Sequence, residues 1–322
     1  MSRSIPAALL ITASMTLLPA VAHAGSGPWV LGDGEYSIYA GAEAERIERL
    51  QIVAGDERST IDVDEGISTL AGKLIVTVGA QGRFEAELAV PYMRVHANRS
   101  DGPVCTSLGL SACATTHGVG VITTRAKGTV LDELYGDPVT WAVGLDLRFG
   151  QLTSQTRQRI TNLGEGTFDV GFVTSVGRGG LIGAKGVYWS GYVEAAGWYR
   201  FPNTRNYTGV DGTVVNAPNP EGSATARMLF GWNSAFSVGP DVIFYARPGG
   251  LDFGNLDQTD PDRFAALSFS NLRVGGTAVL RARENVSFSA TALQTVVATN
   301  NPLTTFVSIG VSTNGRLGRE PR

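Results

Sequence analysis

The stretch Val139-Thr140-Trp141-Ala142-Val143-Gly144-Leu145-Asp146-Leu147-Arg148-Phe149-Gly150 decides the fold. Val139, Trp141, Val143, Leu145, Leu147 and Phe149 are apolar, while Thr140, Ala142, Gly144, Asp146, Arg148 and Gly150 between them are small or polar. Successive side chains of a strand point to opposite faces, so this segment has one greasy and one polar side. The pattern returns downstream, where Val187, Trp189, Val193, Ala195, Tyr199 and Phe201 alternate with Tyr188, Ser190, Tyr192, Glu194, Ala196, Trp198 and Arg200. Phe168, Val170, Phe172 and Val176 likewise alternate with Thr167, Asp169, Gly171 and Ser175. A period of two, sustained in this way, reads as strand and not as helix.

Working outward, the pattern predicts strands near 34–50, 66–80, 83–97, 119–133, 138–150, 166–177, 187–201, 223–234, 238–247, 264–281, 285–296 and 303–313. Lengths of about 10 residues or more with dyad alternation suit a tilted membrane-spanning strand. The connections alternate between short ones, such as 81–82, 134–137 and 282–284, and long polar ones, such as 51–65, 98–118, 151–165, 202–222 and 248–263; 297–302 is the short exception. Tight turns at one end and long loops at the other are the habit of an outer-membrane barrel. In lipid every unpaired N–H or C=O is costly, so the sheet must close. The expectation is an all-β, antiparallel up-and-down transmembrane barrel of about 12 strands, with periplasmic turns and extracellular loops. Two other readings stay open: an outer-membrane barrel with a side-chain-filled lumen that serves structure or surface interaction, and a soluble exported β-sandwich binding module.

Aromatics on the greasy faces are spaced to match. Phe84 and Tyr92 are eight residues apart, Trp141 and Phe149 eight, and Trp189 and Tyr199 ten. Eight residues at roughly 3.3 Å rise, tilted by about 40°, give about 20 Å of height, close to an apolar band between two aromatic girdles.

Composition agrees. Charged residues make up 17% of the 322, hydrophobic residues 43%, and there are 41 Gly. A formal net charge of -3 offers no basic face to nucleic acid. Arg3, the apolar run 5–21 and Ala22-His23-Ala24 read as a signal peptide (1–24) cleaved after Ala24. The barrel is expected over 25–314 and a polar tail over 315–322. An exported barrel meets outer-membrane lipid, the barrel assembly machinery and a small-molecule solute.

Three stretches carry a resemblance. They are Gly27-Pro28-Trp29-Val30-Leu31-Gly32-Asp33-Gly34-Glu35-Tyr36, Leu163-Gly164-Glu165-Gly166-Thr167-Phe168-Asp169-Val170, and the closing segment from Gln294-Thr295-Val296 to Gly310. Together they resemble the outer-membrane transporter-like barrels grouped as the "MetA-pathway of phenol degradation" family, distantly akin to FadL-type channels. The resemblance implies about twelve strands and passage of small apolar or aromatic molecules. Two features depart from it. Only about ten residues lie between the signal peptide and the first strand, too few for a FadL-type N-terminal plug, and the chain does not end on an aromatic residue.

The polar faces supply candidate lumen residues: Lys73, Glu85, Glu87, Asp146, Arg148, Asp169, Glu194, Arg200, Arg227, Arg273 and Arg281. Rings of charge can set what a pore passes, and in a small barrel they can equally fill the interior as ion pairs. Pairing that sums to 317 sets Arg148 opposite Asp169, and one near 363 sets Asp169 opposite Glu194, so that one Arg would serve two carboxylates. Cys105 and Cys113 share one long loop and read as a disulfide. Two Cys and three His supply too few ligands for a metal centre, and nothing resembles a nucleophile elbow, so neither cofactor nor catalysis is expected.

Overall fold

The computed structural model describes residues 27–98, 115–150, 166–183, 187–201, 206–216, 218–232, 235–257 and 266–317. The strands are β1 (Glu35–Ala54), β2 (Glu57–Ala80), β3 (Phe84–Ala97), β4 (Thr116–Val119), β5 (Ile122–Leu131), β6 (Thr140–Phe149), β7 (Phe168–Ile182) and β8 (Val187–Phe201). They continue with β9 (Asn206–Thr208), β10 (Val214–Asn216), β11 (Glu221–Trp232), β12 (Phe236–Arg247), β13 (Phe269–Arg283), β14 (Val286–Thr299) and β15 (Asn301–Arg316).

Each long strand pairs antiparallel with its sequence neighbour, and β1 pairs with β15, which closes the sheet. The β9–β10 ribbon stands apart. β4 and β5 both pair with β3 and act as one strand interrupted at Gly120 and Val121. The break lies opposite Pro91, which has no N–H to donate; its carbonyl accepts from Gly120 N at 2.9 Å. The result is a closed twelve-stranded barrel. β15 carries the wall to Arg316, two residues beyond the expected boundary.

Burial follows the alternation. On β6, Thr140, Ala142, Gly144, Asp146 and Arg148 are buried, while Trp141 and Leu145 are exposed. Leu74, Leu88, Phe172, Val193 and Ile309 are exposed on other strands, while ion pairs are buried inside. Apolar side chains outward and charges inward reverse the order of a water-soluble barrel. The six aromatics at the expected spacings divide between the two ends: Phe84, Trp141 and Trp189 lie near the short turns, and Tyr92, Phe149 and Tyr199 near the long loops. Phe168 and Phe201 extend the second group from Phe149, with successive ring centroids 5.4 and 5.6 Å apart.

The glycines have a packing reason. A Cβ on Gly41 or Gly310 would collide with the Tyr39 ring, and one on Gly171 with Trp198. Large rings can lie flat against the inner wall only where the wall has no side chain.

Segment 51–65, expected as a loop, is mostly strand. β1 and β2 stay paired out to Ala54–Glu57 across Gly55 and Asp56. The ladder shifts between Ile47 and Arg49, where β2 carries extra residues including Gly66 at φ 53. A bulge bends a strand. Ile47, Leu50, Ile52, Val63 and Ile67 come together in one apolar cluster. Tyr207 of the ribbon joins it, with Leu251, Phe253, Leu256 and Leu267 of the connection after β12. Together they form an apolar cap at the extracellular end of the barrel.

Backbone ties hold the cap. Asn300 accepts from Val53 N at 2.7 Å and donates to the Ser268 carbonyl at 3.1 Å. Asp211, in the ribbon's turn, accepts from Thr213 N at 2.9 Å and from Asn255 Nδ2 at 3.0 Å. The Thr213 hydrogen bond holds its carboxyl below the ordinary value of 3.8.

Candidate functional site: a tiered lumen

The extracellular tier lies at the loop-side ends of six neighbouring strands, β6, β7, β8, β11, β12 and β13. Glu221, the first residue of β11, is at its centre, with a fully buried side chain. Arg148 Nη1 donates to it at 3.1 Å, Arg200 Nη1 at 2.8 Å and Arg247 Nη2 at 2.7 Å; Tyr245 also donates to it. Arg200 reaches Asp169 at 3.4 Å and Thr167 at 2.9 Å. Aromatic faces back the cations: the Arg148 guanidinium lies 3.5 Å over the Trp198 ring and that of Arg247 lies 4.7 Å over Phe269. Among the described residues, three guanidiniums thus share two carboxylates. Arg273 and Glu45 add a neutral pair at 2.7 Å.

The periplasmic tier is acid-rich. Arg125 binds Asp146 at 2.7 Å and Glu194 at 2.9 Å, with Glu87 close enough to act on its charge. Arg227 pairs with Asp241, which also accepts from Thr277. Lys73 lies 3.9 Å from Glu43, and Lys127 lies 3.2 Å from Glu85.

Below this, residues 27–33 cross the periplasmic mouth. Lys127 donates to the Gly27 carbonyl at 2.7 Å and to that of Trp29 at 3.1 Å. Glu85 accepts from Leu31 N at 3.1 Å, and Trp29 packs edge-on against Tyr192 at 6.1 Å. A Cβ on Gly79 would strike the Leu31 and Gly32 carbonyls, so glycine lets the segment lie against the wall. The stretch is short for a FadL-type plug, yet it crosses this mouth. A narrow barrel needs only a few residues to be spanned, because its diameter grows with strand number.

Of the candidate lumen residues, Lys73, Glu85, Asp146, Arg148, Asp169, Arg200, Arg227 and Arg273 are buried, and Glu87 and Glu194 are half-buried. Arg281 has the inward parity and is exposed near the periplasmic end of β13. Arg148 does stand opposite Asp169. Asp169, however, faces Arg200 and not Glu194, which faces Ser175. β7 runs on to Ile182, so the hairpin turn falls later than expected and the register moves with it. Arg200 therefore sits in the same tier as Arg148 and not nearer the rim. Among the described residues Arg200 serves two carboxylates, Asp169 and Glu221, and so does Arg125, with Asp146 and Glu194.

Arg125, Lys127, Glu43, Glu45 and Asp241 were legible from strand parity alone but were missed. Glu221 was hidden in a supposed loop. The Cys105–Cys113 pair lies outside the described residues, as do the signal peptide and most of the polar tail.

Against known structures, the COG4313 outer membrane channel from Pseudomonas putida F1 superposes with a TM-score of 0.68 at 14% identity, covering 92% of this chain and 100% of that one. The fold is that of an outer-membrane barrel. The NanC porin matches at TM-score 0.45 and 10% identity, over 86% of this chain and 98% of that one. A TodX mutant, described as a monoaromatic hydrocarbon channel, matches at 0.41 and 10%, over 91% and 93%. No family model and no curated protein matches the chain.

Proposed function

We propose that this protein is an outer-membrane channel for small apolar or aromatic molecules, with a short N-terminal segment across its periplasmic mouth. One observation carries the reading: the loop-side end of the barrel holds both an apolar cap and a tier in which cations lie on aromatic faces. A solute arriving from outside meets greasy surface first and a ring-stacking, polar wall next. Such a site desolvates an aromatic molecule and then orients it. The resemblance to the phenol-degradation barrels supports the same solute class, and the shared fold supports the barrel as its frame.

The inner closure is a short segment held by a few hydrogen bonds, which is the build of a removable stopper. Conductance in planar bilayers tests this. Wild-type protein should show small openings, and a variant lacking 27–33 should show larger ones.

A second reading has its own support. Val173 and Phe306 are almost fully buried inside the wall, and ion pairs fill the space between, as a structural barrel would require. If the shortened variant conducts no better than bare lipid, the structural reading holds and the channel reading fails.

A further inference from the structure

We infer that a cleft at the periplasmic rim of the barrel binds a quaternary ammonium group, with Trp29, Tyr188, Trp189 and Glu133 as its contacts. The inference does not depend on the channel reading, and it concerns the opposite end of the molecule from the cap.

The cleft arises because neighbouring strands stop at different heights. β6 pairs with β7 only as far as Thr140 and Gly177, whereas β7 and β8 stay paired out to Ile182 and Val187. Beyond Gly177 one edge of β7 therefore has no strand beside it among the described residues. The turn between β5 and β6 fills part of the gap. There Asp132 accepts from Leu134 N at 2.9 Å, and Gly136, at φ 97, ends the turn. Glu133, between them, accepts from Gly179 N on the free edge at 3.2 Å and from Trp29 Nε1 at 3.3 Å. Beside this carboxylate lies a cleft of about 350 Å³.

Charge is the first argument. Among the described residues the Glu133 carboxylate accepts only from neutral N–H groups, and no Lys or Arg pairs with it. Arg83 reaches the same turn, but its guanidinium lies over the Tyr135 ring at 5.3 Å. The cleft thus holds a carboxylate that lacks a counter-charge, and a cation supplies one.

The rings are the second. A Cβ on Gly180 would lie 3.0 Å from Trp189 Nε1, and one on Gly231 would strike the Tyr188 ring, so glycine lets both rings lie close against the wall. Trp29, with its N–H committed to Glu133, packs edge-on against Tyr192 at 6.1 Å. Aromatic faces attract a cation, and several rings beside one carboxylate suit a quaternary ammonium. Rings and bare glycine backbone make up most of the lining. A primary ammonium brings three donors and finds few acceptors there, whereas a quaternary one has no N–H to satisfy. An interfacial aromatic girdle accounts for Trp189 alone, but it does not call for a carboxylate among the rings.

Isothermal titration calorimetry of the purified protein in maltoside detergent tests the site. The probes are choline, ethanolamine and the uncharged carbon isostere of choline, in which a tert-butyl group replaces trimethylammonium. Choline should bind saturably, one per barrel, and the isostere at least about tenfold more weakly, with ethanolamine between. Glu133→Gln keeps an acceptor for Gly179 and Trp29 but removes the charge, and it should weaken choline about tenfold; Trp189→Leu should weaken it severalfold. No saturable choline binding to the wild type, or an isostere that binds as tightly as choline, would overturn the assignment even if neither variant folds. Equal choline affinity in wild type and folded Glu133→Gln would also overturn it. Titration in phosphatidylglycerol and in phosphatidylcholine nanodiscs separates the sources of the group. Equal choline affinity in the two assigns a free solute, and a lower affinity in phosphatidylcholine assigns the lipid headgroup. Conductance is read separately, so current without choline binding removes the site and leaves the channel.

Discussion

The two halves of the lumen use the same side chains to opposite ends. Near the loops, three arginines converge on one glutamate, Glu221, and two of them are backed by rings. Near the turns, several carboxylates share few cations, and one lysine is turned toward the chain's own backbone. In the upper half the wall holds its charges among themselves through Glu221. In the lower half Lys127 and Glu85 hold a segment that is not part of the wall. Buried charge can thus lock a barrel or latch a plug, and what decides is whether its partner is fixed in the sheet.

The sharpest way to break this contrast is at Glu221. Glu221→Gln would leave three buried guanidiniums short of their shared carboxylate, at a cost of about 3–5 kcal/mol, the usual penalty for an uncompensated buried charge. Thermal unfolding in detergent should register it as a large fall in midpoint. Glu85→Gln in the lower half should cost clearly less, since its main partners are a lysine and the Leu31 amide. Equal losses at the two sites would erase the distinction.

A substitution outside the lumen calibrates both. Val143 faces outward on β6, and Val143→Arg should destabilise by about 2–4 kcal/mol if the site is near the bilayer midplane. Refolding into liposomes measures it. Spin labels at Val143 and Gly144 should then differ in access to a lipid-soluble quencher; equal access would show that the faces are misassigned.

Lys127→Met should remove two charge-assisted hydrogen bonds to the N-terminal segment, each worth about 1.5–3 kcal/mol. The wall should stay folded while conductance rises and becomes noisier. Unchanged current with a lowered unfolding midpoint would mean that Lys127 belongs to the wall after all.

The smallest effect is expected at Asp211 in the cap's ribbon. Its carboxyl is held below 3.8 by the Thr213 hydrogen bond, so its contribution is present above that value and is lost as pH falls through the lower, folded-state value. Proteolysis of the ribbon should therefore speed up only in strong acid, and Asp211→Asn should weaken that pH dependence. No change with pH in the wild type would remove Asp211 from the cap's support.

Much of this barrel was readable from the chain alone. Val143 against Gly144, or Tyr199 against Arg200, reports its face because neighbours on a strand cannot share one. Register was less readable: Arg148 found Asp169, but Asp169 found Arg200, because a few unforeseen residues of β7 slid the next hairpin. The outer part of β1–β2 was lost to inspection for a related reason. Extra residues between Asp62 and Ile67 shift the alternation out of phase, and a broken period looks like a loop. Glu221 was hidden because it begins its strand, where pattern is weakest. The cap drew on residues far apart in sequence, and no local pattern could have joined Leu50 to Phe253.

Tyr39 has one more consequence. Its ring lies over Gly41 on the first strand and Gly310 on the last, across the seam where the sheet meets itself. That seat does not exist until both ends of the chain have arrived. A tyrosine so placed acts as a clock for closure: its near-ultraviolet dichroism should lag the far-ultraviolet strand signal during assembly. Once seated, it ties the two strands together from the inside, at the joint where the barrel would otherwise be easiest to open.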